Sequence, residues 1–246
     1  MIMNLNKLKR FVSFIKESKN IVFFTGAGIS TESGIPDFRS SNGIYSKKFK
    51  NLNPINIVSH NFLFNNPELF YEFYFKYLVF QNVKPNYGHI FFNELKNKDV
   101  IVVTQNIDNL HQLGGSKKVY ELHGSVEQNY CVKCHKNYSL KEIYNSKFLV
   151  PCCKFCRGLI RPNVVLFGEK LDYQIINDAI EAISNADLLV VAGTSLSVYP
   201  AASFVSYYNK DKFVLINKET TSYDSVANLV FNESICKVFE NIKKMI

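Results

Sequence analysis

Two cysteine pairs, Cys131-x-x-Cys134 and Cys153-x-x-Cys156, stand 18 residues apart. That spacing fits four thiolates around one tetrahedral zinc ion, and a shell of four sulfurs leaves no open position for water, so the ion would be structural and not catalytic. Cys152 is a spare thiol that could compete with Cys153, and His135 is a weaker substitute ligand. Cys236 lies on a C-terminal helical pattern and is expected to be a buried thiol. Five of the six cysteines fall within one 26-residue stretch, an arrangement that suits a metal site and not a disulfide framework.

The remaining polar chemistry follows apolar runs. Gly26-Ala27-Gly28-Ile29-Ser30 comes after the first of them, with glycines that let backbone approach a pyrophosphate. The dinucleotide fingerprint is incomplete: Thr31 stands where its third glycine belongs, and 47–53 offers no Asp or Glu for a ribose hydroxyl, so an adenosine ribose would have to be held elsewhere. Gly34-Ile35-Pro36-Asp37-Phe38-Arg39-Ser40 is a proline-stiffened loop that either clamps an amide beside a ligand or is a surface turn with an incidental ion pair. Thr104-Gln105-Asn106-Ile107-Asp108-Asn109-Leu110-His111 gathers Gln, Asn and Asp, of which helix capping explains one and not all three. His123-Gly124 comes after 119–122. A neutral imidazole there is suited to take a proton near pH 7, although a lone histidine is more often structural. Arg161–Glu169 and Gly193–Pro200 each join an apolar stretch to a glycine, as the two edges of a groove for an extended peptide would.

Positioning these groups falls to alternating elements. Apolar runs at 21–25, 100–104, 119–122, 188–192 and 213–217 alternate with helical periodicity in Leu8, Phe11, Val12, Ile15, in Ile176, Ala179, Ile180, Ile183 and in Ile235, Val238, Phe239, Ile242. The pattern predicts an α/β fold of βαβ units with a parallel sheet, and ligands at the edge where Gly26, Gln105, His123, Gly193 and Asn217 sit at their strand ends. An aromatic-rich segment at 41–84 is expected to be helical around an aromatic core. At 246 residues and 47% hydrophobic, the chain can bury one core with a small appended module. Its apolar runs are far shorter than the roughly 20 residues that span a bilayer, so no membrane partner is expected. Lys7, Lys9, Arg10, Lys16 and Lys19 are spread through a helical pattern unlike a signal peptide, which predicts a cytoplasmic protein. The net charge of +8 is almost all dispersed lysine, which predicts a solvated surface and no specific nucleic-acid site.

Taken in order, Gly26–Ser30, Gly34–Ser40, Thr104–His111, His123-Gly124, the paired cysteines, Arg161–Glu169 and the Gly193-Thr194-Ser195 loop resemble the sirtuin family of NAD-dependent protein deacylases, in its bacterial-type catalytic core, from about residue 8 to the C-terminus. The resemblance implies a Rossmann-like domain (1–40, 85–125 and 161–246) with an inserted helical module (41–84) and a small zinc-ribbon module (126–160). It implies NAD as cosubstrate and one structural zinc on Cys131, Cys134, Cys153 and Cys156.

By the same resemblance, Ala27, Gly28 and Arg39 would line the phosphate and ribose path. Ile35, Asp37, Asn106 and Asp108 would form the nicotinamide pocket, Ser195 and Asn217 would hold the adenosine ribose, and Gly26, Phe38, Gln105, Ile107, Gly193 and Thr194 would complete the NAD contacts. Val165, Phe167, Gly168, Glu169 and Val198 would face an acylated lysine whose peptide binds as an extended strand. The acyl oxygen would attack the ribose carbon as nicotinamide leaves, with Asn106 assisting. His123 would then deprotonate a ribose hydroxyl, and the products would be nicotinamide, O-acyl-ADP-ribose and free lysine. Succinyl- and malonyl-selective members resemble one another in a Tyr-x-x-Arg pair that 72–78 lacks, so acetyl or longer neutral acyl groups are expected. Transfer of ADP-ribose to protein from the same NAD site is the competing activity.

Overall fold

The protein is described by a computed structural model covering residues 4–246; residues 1–3 of the segment 1–40 lie outside the described residues. Nine strands occur among these residues: β1 (Asn20–Thr25), β2 (Asp99–Thr104), β3 (Val119–Glu121), β4 (Gly124–Cys131), β5 (Asn137–Ser139), β6 (Ile160–Val164), β7 (Leu188–Ala192), β8 (Phe213–Ile216) and β9 (Leu229–Phe231). The helices are α1 (Leu5–Glu17), α2 (Pro54–Ile57), α3 (His60–Asn65), α4 (Pro67–Tyr77), α5 (Tyr87–Ile90), α6 (Leu110–Leu113), α7 (Leu140–Tyr144), α8 (Tyr173–Asn185) and α9 (Ile235–Lys243).

Six strands form one sheet in the order β3-β2-β1-β7-β8-β9, and every pair in it is parallel. Strands β7 and β8 are apolar throughout, and β1 is apolar between its end residues, because both faces are covered. Alternate residues go to opposite sides: Phe23, Val190 and Val214 pack in one core with α1 and α9, whereas Phe24, Val191 and Leu215 pack in another with α8. Each covering helix has an apolar stripe at helical spacing and a polar cap. Asn4 accepts the Asn6 and Lys7 amides at 3.0 and 3.2 Å, and Asp172 accepts those of Gln174 and Ile175 at 2.8 and 3.0 Å.

The strand order reverses at β1, with β2 on one side and β7 on the other, and such a switch point is where open α/β sheets bind ligands. The five strands expected from the apolar runs are present. The sixth, β9, has only three residues and escapes a pattern search. Boundaries differ by one residue in β1, β2, β3 and β8, and the difference in β3 matters: it stops at Glu121, so Leu122 and His123 form a short turn into β4, which begins at Gly124 with φ 72°. His123 therefore sits where the parallel sheet hands over to a second sheet, β5-β4-β6, which is antiparallel and carries the cysteines. Helices α2 to α4 bury Phe70, Tyr71, Phe73 and Tyr74, giving the aromatic core expected there, and pack against Val126, Ile160 and Leu166 near the second sheet. No helix among the described residues is long and apolar enough to cross a membrane.

Candidate active site

A cleft of about 1230 Å³ opens at the carboxyl ends of β1, β2 and β7. Ligand pockets typically fall between about 300 and 1000 Å³, so this one has room for a dinucleotide together with a second group. Its walls include Gly26, Ala27, Gly28, Ile35, Asp37, Phe38, Arg39, Gln105, Asn106, Ile107, His123, Val165, Phe167, Gly168, Glu169, Gly193, Thr194, Ser195, Val198 and Asn217. All the residues read from the sequence as NAD, substrate or catalytic groups are thus gathered in one place, with the exception of Asp108.

The glycines after β1 have a task that local sequence does not reveal. A Cβ on Gly28 would stand 2.8 Å from the Gly193 Cα, and Gly193 itself has φ 64°. The loops after β1 and β7 cross in contact, and the Gly28 amide donates to the Gly193 carbonyl at 2.8 Å. Gly28 of the motif and Gly193 of the loop after β7 are therefore consumed in bringing the two loops together under the cleft. Asp37 shapes the next loop, since its Oδ1 accepts the Arg39 and Ser40 amides at 3.0 and 2.8 Å.

The His123 tautomer follows from one contact. Its Nδ1 lies 2.9 Å from the Gln105 carbonyl, which can only accept, so Nδ1 carries the proton and Nε2 is left with a free lone pair. Burial pushes the His123 pKa below its ordinary value, and Arg39 adds to the effect against a smaller opposing pull from the Gln105 carbonyl. The ring is neutral at pH 7 and poised to accept a proton.

Asp108 works from behind the cleft. Its carboxylate accepts the Ser30 hydroxyl at 2.6 Å and the Leu110 amide at 3.0 Å. The Ser30 oxygen in turn accepts the Asn106 side-chain amide at 3.0 Å, so Asp108, Ser30 and Asn106 form one chain whose end is the cleft wall. Burial raises the Asp108 pKa above its ordinary value, and the Ser30 hydroxyl and Leu110 amide offset only part of that rise. Below them His89 accepts the Asn86 amide on Nδ1 at 3.3 Å, which leaves an Nε2 proton to point at Ser30, 3.4 Å away. Burial takes the His89 pKa down to about 4, so it stays neutral. Ser30 lies within the glycine motif without a sequence signal for this task, and His89 lies outside every motif.

Glu169 is held by four donors. Arg161 Nη1 and His60 Nδ1 reach Oε1, the latter at 2.8 Å, while Arg161 Nη2 and the Leu166 amide each reach Oε2 at 2.9 Å. Burial alone would raise its pKa, but these donors, led by Arg161, hold it at about 2. A carboxylate has about four acceptor sites, so any contact of Glu169 with a substrate falls to its backbone.

The four paired cysteines converge with all their sulfurs within 4.8 Å of one another. The Cys131–Cys156 and Cys134–Cys153 sulfurs are 3.4 and 3.6 Å apart, close to the edge of about 3.8 Å for a zinc tetrahedron with bonds of about 2.3 Å. Tyr138 donates its hydroxyl to the Cys153 sulfur at 3.1 Å, as suits a thiolate. The residues therefore fit one zinc ion. Cys152 and His135 are exposed and outside the cluster, which removes them as competing ligands. Cys236 is half-buried, not the buried thiol expected, because its sulfur lies at the α9 surface against Asn86 Oδ1, 3.4 Å away.

Residues 26–200 match the Sir2 family model. A Clostridium perfringens protein named NAD-dependent protein deacetylase is 52% identical over 241 residues, covering 96% of this chain and 98% of the relative. Among solved structures, a Sir2 variant with a deacetylated p53 peptide and 3'-O-acetyl ADP ribose superposes with a TM-score of 0.88 at 40% identity, covering 97% of this chain and 98% of its own. A Sir2 complex with a p53 peptide and NAD+ gives a TM-score of 0.84 at 39% identity, with the same coverage.

Proposed function

The chain belongs to the Sir2 family, and from that premise we propose that it removes acetyl and other neutral acyl groups from protein lysines at the expense of one NAD and one water, releasing nicotinamide, O-acyl-ADP-ribose and free lysine. The observation that carries the mechanism is the His123 tautomer: Nδ1 is tied to the Gln105 carbonyl, and the basic Nε2 belongs to a residue of the cleft wall. NAD supplies the electrophilic ribose carbon and the hydroxyls that receive the acyl group.

The chain's own residues orient and move protons. His123 Nε2 takes the proton from a ribose hydroxyl, which makes that oxygen a nucleophile near pH 7. Asn106, held by Ser30 and through it by Asp108, offers its amide as a fixed dipole beside the nicotinamide end, where preorganised dipoles favour the charge that develops as the ring leaves. Ile35 and Asp37 close that pocket, and Ala27, Gly28 and Arg39 line the phosphate path. Ser195 and Asn217 hold the adenosine ribose, which supplies the contact missing from the usual acidic position. Val165, Phe167, Gly168 and Val198 bound the acyl-lysine strand. Zinc on Cys131, Cys134, Cys153 and Cys156 cross-links the second sheet and takes no chemical step. A cytoplasmic location belongs to the same proposal, supported by four cysteines grouped for zinc and two others, Cys152 and Cys236, outside any disulfide, which suits a reducing compartment.

Two outcomes test the reading. With acetyl-lysine peptide, NAD and enzyme, nicotinamide release is expected to require the peptide. Release without it, with the ADP-ribose label retained on protein, would point to the transferase instead. On matched peptides kcat/KM is expected to be higher for acetyl- than for succinyl-lysine, because 72–78 offers Lys76 and no bidentate Arg to the carboxylate of a succinyl group; the reverse order would contradict it. The acid limb of kcat/KM is a separate check. His123 acts unprotonated and its pKa is depressed, so the acid limb is expected to have its midpoint below the ordinary histidine value of 6.5. A midpoint above 6.5 would exclude His123 as the titrating base.

A further inference from the structure

We propose that His60 is a positioning residue that fastens the substrate loop 164–169 to the helical segment, an inference that rests on the deacylase reading above. Three of the four donors to Glu169 come from β6 and from the loop itself: both Arg161 nitrogens and the Leu166 amide. The fourth, His60 Nδ1, comes from the first residue of α3. Arg161 can hold the loop's own turn closed, but it does not reach α2 or α3. Of the donors to Glu169, His60 alone adds a side-chain tie from the helical segment to the one its backbone makes.

Because Glu169 is ionised and only accepts, His60 must carry its proton on Nδ1, which fixes the ring's orientation. The ring also packs against Phe64, with centroids 4.7 Å apart. Beneath the side chains runs a short parallel backbone bridge: the Phe167 amide donates to the Val58 carbonyl at 3.0 Å, and the His60 amide donates to the Phe167 carbonyl at 3.0 Å. That bridge survives any side-chain substitution at 60. A variant there loosens the loop without dismantling either element, and the residues displaced, Val165, Phe167 and Gly168, bound the acyl-lysine strand and not NAD. The side chain is 46% exposed, so its effect should be modest and confined to one substrate.

The test pairs binding with kinetics. His60→Ala is expected to raise the Kd of a fluorescent acetyl-lysine peptide, measured by anisotropy without NAD, by about fivefold, and to raise its KM alike, as suits a half-exposed hydrogen bond to a carboxylate. The kcat and the KM for NAD should stay within about twofold of the parent. His60→Asn, whose amide nitrogen can stand where Nδ1 stood, is expected to restore both peptide values. An unchanged peptide Kd in His60→Ala, a parallel loss in kcat and KM for NAD, or an Asn variant as weak as Ala would overturn the proposal. If the parent turned over no acetyl peptide, the deacylase reading would fail, and the binding measurement would still decide the role of His60.

Discussion

Replacing His123 with Ala is expected to lower kcat/KM for acetyl-lysine peptide by about 10²- to 10⁴-fold, the usual worth of a positioned general base. No second group in the cleft wall is prepared in the same way. His123 alone has one ring nitrogen fixed by a backbone carbonyl and the other left basic, in surroundings that keep it neutral. The structural cost should be small by comparison: the Gln105 carbonyl loses one donor, worth about 1 kcal/mol. The variant is therefore expected to keep its zinc and a melting temperature within a few degrees of the parent. Steady-state kinetics beside a thermal melt checks both halves, and an Ala variant with more than about a tenth of parental kcat/KM would remove His123 as the base.

The second large effect is at the metal. Cys153 is fully buried, and Cys153→Ser is expected to take bound zinc from one ion per chain to none and to unfold the β5-β4-β6 sheet. Structural zinc sites are worth about 10–16 kcal/mol, comparable with the whole stability of about 5–15 kcal/mol of an ordinary domain. Activity should collapse as well, although the ion does no chemistry. Gly124 pairs with Val164, and the Val165 amide donates to the His123 carbonyl at 2.9 Å, so this sheet frames both the base and the substrate loop. Cys152→Ser, outside the cluster, is expected to keep zinc and activity. Elemental analysis and circular dichroism distinguish the two variants, and a Cys153→Ser protein that retained stoichiometric zinc would contradict the four-cysteine assignment.

What the sequence made legible was whatever a local pattern can carry. Strand-length apolar runs followed by Gly26, Gln105 and Gly193 picked out the sheet edge where the cleft opens, and cysteine spacing picked out the four thiols that cluster. What escaped it depends on contacts between distant segments. The Gly28–Gly193 crossing joins the loops after β1 and β7, and no spacing rule links them. Asp108, read as a pocket wall, accepts the Leu110 amide at the start of α6 and connects to the cleft wall through Ser30 and Asn106, because the turn after β2 aims its carboxylate inward. Glu169 was read as part of an expected substrate loop, but that its acceptor sites are filled by Arg161, Leu166 and His60 emerges only when three segments meet. Ser30, His89 and His60 carry ordinary side chains at ordinary positions, and their tasks come from the neighbours they acquire on folding.

The most direct measurement is a product balance by mass spectrometry after incubating the protein with NAD and an acetyl-lysine peptide. The mechanism predicts one nicotinamide and one O-acetyl-ADP-ribose for each lysine freed. Free acetate without NAD consumption, or ADP-ribose attached to protein with the peptide still acetylated, would contradict it.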